Sequence, residues 1–142
     1  MLDAYGRVVS NKGAPGIEGM DVDSFHAHIN RDWVWIRHRI ETGTYIPMAF
    51  KKVEIPKPKG GVRMFGIPTV TDRLIQQSIV QILSLHYDSS FSDNSYGFRP
   101  CRSAPQAFVK AHGYLNDGYT YVVEMDLEKF FDKVNPDKLM RL

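Results

Sequence analysis

Apolar side chains recur along this chain with a period that changes several times, and each change predicts an element. Over residues 22–42, Phe25, Ile29, Val34, Ile36 and Ile40 follow a roughly helical period, with Asp21 or Asp23 as the N-cap and Gly43 as the stop. Residues 50–55 and 62–67 are β-prone runs joined by Pro56-Lys-Pro-Lys-Gly-Gly61, so a hairpin with a basic turn is expected. Next, Ile75, Ile79, Ile82 and His86, with Leu74 and Leu83 alongside, predict a helix that starts near Asp72, is capped by Thr71 and buries that face. Residues 103–115 predict a further helix with Ala104, Phe108 and Ala111 or Leu115 inward, closed by Gly118. Residues 119–125 are apolar, β-branched and aromatic, and read as a strand ending in Asp126, with a last helical turn from Pro136. The chain starts with a short helix, and the Asn11–Gly19 stretch after it is so dense in Gly and Pro that no regular element can persist. Such a loop is expected to move unless a ligand holds it.

Composition narrows the class without naming a function. A length of 142 residues suits one core, or one lobe of something larger. The net charge of +2 does not itself point to nucleic acid, but its distribution is uneven. Lys51, Lys52, Lys57, Lys59, Arg63 and Arg73 face only Glu54 and Asp72 in one short segment. The lone Cys101 excludes an internal disulfide, and no secretory leader pattern is present, so a reducing, cytoplasmic setting is expected. No apolar run approaches the roughly 20 residues that span a bilayer. His26 and His28 are two residues apart and fall on different helix faces, which argues against a zinc site with Cys101.

Two features place charge where phosphate or metal chemistry could use it. The hairpin would carry lysines at its tip and Arg63 on its return strand, cations that suit phosphate oxygens; a solvated edge turn is the plainer alternative. A carboxylate at the end of a buried strand, Asp126, would seek a cation, and magnesium is the usual one where phosphates are handled. A helix N-cap explains the same aspartate equally well.

In order along the chain, Asn11-Lys-Gly-Ala-Pro-Gly, Ile55-Pro-Lys-Pro-Lys-Gly-Gly-Val-Arg63, Gly66-Ile-Pro-Thr-Val-Thr-Asp-Arg73, Ser95-Tyr-Gly-Phe-Arg-Pro100 and Glu124-Met-Asp-Leu-Glu-Lys-Phe-Phe-Asp132 closely resemble bacterial group II intron reverse transcriptases. The resemblance implies an α+β fold: a fingers hairpin sheet with packed helices over residues 1–118, then the first strand of a palm over 119–142. It implies Asp126 as a catalytic, Mg²⁺-binding aspartate, with the Leu127 carbonyl as a further oxygen ligand. Lys57 and Arg63 would grip the incoming dNTP, and Phe131 would exclude a ribose 2′-hydroxyl, a core aromatic beside Phe130 being the alternative. Ile67 and Pro68 would pack under the templating base, and Arg99 would contact the template backbone. Asp72 and Arg73 also match the family's motif, yet a cap and an ion pair at a helix start would explain both.

The implied partners are an RNA template, a DNA primer, dNTP and intron RNA, with no membrane. The family's second acidic motif, its thumb and its maturase segment are not matched in these residues. One carboxylate does not hold a two-metal site, so the chain alone is expected to be inactive. A stand-alone intron-RNA-binding module is the alternative. An unfinished palm sheet would also leave an edge through which a second copy could pair, so an oligomer is expected.

Overall fold

The structure, a computed structural model, describes residues 2–58, 60–127 and 130–141. The chain forms two compact units, Met1–Ser95 and Tyr96–Leu142. Both helix and sheet are present: an α+β chain whose sheet, among the described residues, is a single two-stranded antiparallel hairpin.

In the first unit, α1 (Leu2–Ser10) presents Ala4 and Val8 on one face, four residues apart. Helix α2 (Phe25–Glu41) contributes Phe25, and α3 (Val70–Tyr87) contributes Val70 and Leu74, again at i and i+4. With Val22 these side chains form the buried cluster, and Tyr5, Val9, Met20 and Ile29 pack around it. The Tyr5 and Phe25 rings stack with centroids 5.7 Å apart. A core this small is a modest store of hydrophobic stabilisation, so polar anchors matter in this unit.

The helix boundaries depart from the expected ones in instructive ways. For α2, Asp21 accepts a hydrogen bond from the Ser24 amide (2.7 Å) and Ser24 occupies the cap position. Burial on α2 reaches Phe25 and Ile36, whereas Val34 is exposed. The cap of α3 is Thr69, not Thr71: the Thr69 hydroxyl accepts from the Asp72 amide (3.1 Å), so the helix starts two residues earlier. The buried positions of α3 are its first turns, while Ile79 and Ile82 are exposed. The apolar face read from the sequence exists, but among the described residues its second half is left exposed.

The Gly- and Pro-rich loop before α2 is held by the chain's own side chains. Arg73 donates to the Ala14 carbonyl (2.9 Å) and Glu18 accepts from the Val70 amide at the start of α3 (2.8 Å). A carboxylate at a helix N-terminus also meets the positive end of the helix dipole. Gly16 lies so close beneath that a Cβ there would meet the Pro68 carbonyl oxygen at 2.8 Å and the Thr69 Cα at 2.9 Å. Backbone atoms cannot swing aside, so this position requires glycine.

Strands β1 (Lys51–Pro56) and β2 (Val62–Ile67) pair with Ile55 opposite Arg63 and Lys51 opposite Ile67. The turn closes through the Lys57 amide donating to the Gly61 carbonyl and the Gly60 amide donating to the Lys57 carbonyl, both 3.0 Å. Gly60 and Gly61 have φ of +90° and +85°, a region glycine enters without a Cβ clash.

The second unit contains α4 (Ala104–Asn116), a short turn α5 (Phe130–Lys133) and α6 (Pro136–Leu139). The Ser103 amide donates to the Gln106 Oε1 (2.8 Å) at the start of α4, and Gly118, at φ +93°, closes the segment after it. Two expectations need correction. The strand over residues 119–125 is not formed: residues 119–127 are neither helix nor strand and their side chains are exposed. A β-prone run needs a hydrogen-bonding neighbour, and none pairs with it among the described residues. The strand edge that suggested pairing with a second copy is therefore not formed either. Nor is Phe108 buried: among the described residues no layer of this unit covers the apolar side of α4. Among the described residues no helix is long and apolar enough to cross a membrane.

Candidate nucleic-acid interface

Four of the site residues read from the sequence belong to the first unit. The turn fixes the Lys57 backbone and leaves its side chain exposed at the hairpin tip. Arg63 lies on the return strand opposite Ile55, exposed, on the face that also carries Val53 and Phe65. Ile67 and Pro68, both partly buried, end that strand and lead directly to the Thr69 cap of α3.

An isolated two-stranded hairpin is marginal in water. What steadies the base of this one is Asp72, a carboxylate only 3% exposed. It accepts hydrogen bonds from the Tyr45 hydroxyl (2.7 Å), the Met48 amide (3.2 Å) and the Thr69 hydroxyl (2.6 Å). The first two tie down the segment that enters β1, and the third ties down the residue that leaves β2. Both roots of the hairpin are thus fastened to the first turn of α3. Phe50 adds to this by lying against Gly66, where a Cβ would meet the Phe50 Cβ at 3.3 Å. The spacing Thr69-x-x-Asp72 is a capping pattern that could have been read from the sequence. That its carboxylate also reaches residues 24 and 27 positions earlier could not.

Burial, and then the hydrogen bond to the Asp72 carboxylate, raise the Tyr45 hydroxyl above its ordinary value of 10.0. A group whose pKa is raised on folding stabilises the fold below its unfolded value and loses that contribution as pH rises through the folded one. Tyr45→Phe is therefore expected to cost about 1 kcal/mol at pH 8. That gap should shrink at pH 11, as compared by urea unfolding of the two proteins.

Behind the hairpin root lies a cavity of about 430 Å³, lined in part by Glu18, His28, Asp32, Arg39 and Tyr45. Its polar groups have several different partners, while the buried Glu18 Oε2 has none among the described residues. His28 bridges to Asp32 at 3.0 Å, and Arg39 lies 4.7 Å from the Trp35 ring centre and donates to the Thr44 carbonyl. The cavity is walled mainly by apolar side chains, Met20, Trp35, Ile36, Ile46 and Met48 among them, with a few polar groups between.

The remaining site residues belong to the second unit. Arg99 is partly buried in the loop that starts at Tyr96. Asp126 is exposed, and its Oδ1 accepts only the amide of its neighbour Leu127 (2.9 Å) among the described contacts. That contact is to the adjacent amide, and residues 128 and 129, whose amides a cap at Asp126 would engage, lie outside the described residues. The water-poor strand end expected for Asp126 is not formed. Phe131 is 91% exposed, with its ring centre 5.3 Å from that of Phe130, so it is not a core aromatic in this unit.

A divalent cation handling phosphates takes several oxygen ligands. Among the described residues no group of three His, Cys, Asp or Glu side chains comes together. One exposed carboxylate and a neighbouring carbonyl make one corner of such a shell, and no chemical step is assigned to a metal on these residues.

Comparison with known proteins bears on the same segments. "Protein YkfC" of Escherichia coli K12 is 34% identical over 147 residues, covering 99% of this chain and 39% of that protein. "Group II intron-encoded protein LtrA" of Lactococcus lactis is 34% identical over 140 residues, covering 98% of this chain and 23% of that protein. "Putative COX1/OXI3 intron 2 protein" of Saccharomyces cerevisiae is 28% identical, covering the whole chain and 16% of that protein. The chain thus spans less than two-fifths of each of these relatives. The family model described as reverse transcriptase (RNA-dependent DNA polymerase) matches residues 55–142, from the hairpin through Asp126 and beyond, and on that match over more than half of its length the chain belongs to the reverse transcriptase family.

Proposed function

We propose that this chain is the fingers and the opening of the palm of an RNA-directed DNA polymerase of the group II intron kind, with residues 1–118 as fingers and 119–142 as palm. The observation that carries the reading is the hairpin: a stiffened arm, rooted on α3 through Asp72, that exposes Lys57 at its tip and Arg63 on its return strand. Lys57 and Arg63 neutralise the triphosphate of the incoming dNTP, Arg63 by a two-pronged grip. Ile67 and Pro68 form the apolar floor under the templating base, and Arg99 contacts the template backbone. Phe131 excludes a ribose 2′-hydroxyl by its bulk. Asp126 and the Leu127 carbonyl contribute oxygens to a Mg²⁺ whose other ligands come from elsewhere. Relatives named for group II introns support an RNA template, with intron RNA as a partner and a DNA primer as the strand extended. A cytoplasmic setting goes with this reading.

The test is primer extension on an RNA template. The chain by itself is expected to incorporate nothing above background, for want of metal ligands. Joined to the remaining palm and thumb of a related intron polymerase, it should extend the primer. In that fusion Arg63→Gln should raise the KM for dNTP about tenfold, the loss of roughly one charge-assisted hydrogen bond. Extension by the unfused chain, or an unchanged KM in the variant, would count against the reading.

A further inference from the structure

The second unit carries a feature that the polymerase roles leave unused. Tyr96, Pro105, Gln106, Val109 and Lys110 line a shallow cavity of about 400 Å³ along the start of α4. The Tyr96 ring forms one wall and is held there by the Arg102 guanidinium, 5.5 Å from its centre. Pro105, whose fixed ring suits the first turn of a helix, and Val109, one helical turn on, form an apolar side. Val109 is 70% exposed, so this apolar wall faces water. The Gln106 side chain is committed to the helix start, where its Oε1 accepts from the Ser103 amide. Lys110 is exposed at the rim, its Nζ 5.0 Å from the Tyr114 ring centre.

Charge and backbone point to the occupant. Of the residues that line the cavity Lys110 is the cation, and no acidic residue lines it. In the loop that follows Tyr96, Phe98 has φ of +56° and is fully exposed, at 112% of its reference area. A phenylalanine in the left-handed region is disfavoured, and one fully exposed among the described residues recovers none of that cost by burial. Flat rings and an apolar wall beside the Lys110 ammonium match the chemistry of an unpaired nucleotide: a base to stack and a phosphate to neutralise. A paired strand hides its base faces and would offer the site only phosphates.

We propose that the Tyr96–Lys110 face seats an unpaired nucleotide of a single RNA strand, its base against Tyr96 and the Pro105–Val109 wall, Lys110 on the phosphate, and Phe98 as a neighbouring stacking ring. The site rests on the reading that this chain handles a nucleic-acid template, but it needs neither primer, dNTP nor metal. Its assay is therefore independent of polymerisation, and a fusion that fails to extend a primer leaves this measurement intact.

The experiment is fluorescence anisotropy of the full chain with a fluorescein-labelled twelve-residue oligouridylate, beside a labelled RNA duplex of equal length. Tyr96→Leu and Phe98→Ser should each weaken binding to the single strand about tenfold and leave the duplex unaffected, the size of one lost base–aromatic stack. Lys110→Gln should lower the salt dependence by about one phosphate contact. Circular dichroism checks that Tyr96→Leu is folded; if it is not, the exposed Phe98→Ser and Lys110→Gln variants decide. Wild-type affinity in both of these, or equal losses on the duplex, overturns the proposal. So does dissociation of a dimer by Tyr96→Leu without RNA, since a second copy would then be the occupant.

Discussion

Replacing Asp72 with alanine is expected to destabilise the first unit by about 3 kcal/mol and to loosen the hairpin. The carboxylate is buried and satisfies three donors, the Tyr45 hydroxyl, the Met48 amide and the Thr69 hydroxyl. Hydrogen bonds to a charged group contribute about 1.5–3 kcal/mol each, and donors left without a partner add to the loss. The three effects do not sum in full, because Tyr45 and the Met48 amide are only partly buried and can turn to water. Asp72→Asn keeps an acceptor in place and should cost less than half as much. Urea unfolding of the three proteins gives the order, and amide exchange reports whether β1 and β2 open before the helices do. Equal stability of the alanine variant and the parent would remove Asp72 from its place as the hairpin's anchor.

Loss of the Asp126 carboxylate should have the largest effect on activity. In the fusion that extends primers, Asp126→Ala is expected to lower the rate about a thousandfold, equivalent to about 4 kcal/mol of lost transition-state stabilisation. Asp126 is exposed and, among the described residues, makes only a local contact with the Leu127 amide, so its removal should leave the thermal midpoint unchanged within a degree or two. That separation is the useful part of the measurement. A variant that keeps its stability and loses its rate assigns the residue to chemistry, whereas one that keeps both excludes it. Asp126→Glu retains the charge but moves it by one methylene, and partial activity there would argue for a position-sensitive ligand.

Much of the fold was legible because its signals are local. The Pro-Lys-Pro-Lys-Gly-Gly turn between β-prone runs corresponds to β1 and β2, and Gly60 and Gly61 adopt the positive φ that such a turn requires. The helices α2, α3 and α4 were visible as apolar periodicity. Caps were less legible. Thr69 and Thr71 are both plausible before an apolar run, and the choice between them depends on Asp72, whose side chain is bonded to Tyr45 and Met48 as well as to Thr69. Burial was the poorest guide. Ile79, Ile82 and Phe108 carry the pattern of a core and are exposed, because periodicity says that a face is apolar and not that a layer lies over it.

The candidate site divides in the same way. Lys57 and Arg63 lie in one motif and Ile67 and Pro68 in the next, and it is the family resemblance that named them; the hairpin's turn and register account for where Lys57 and Arg63 sit. Asp126 could be named from its acidic motif, but its strand could not be secured, since a strand exists only when a neighbour pairs with it.

By itself, then, the sequence determined where helices and the hairpin begin and end to within a few residues, which side chains carry charge at the hairpin tip, and which family's motifs run through the chain. These are matters of local backbone preference and of residue identity at fixed spacing. Only the tertiary structure decided that Glu18 and Arg73 hold the Gly- and Pro-rich loop, and that one buried carboxylate, Asp72, fastens both roots of the hairpin. Those contacts join residues 52, 59 and 24 positions apart, a distance over which no local propensity acts and only the packed core can bring partners together.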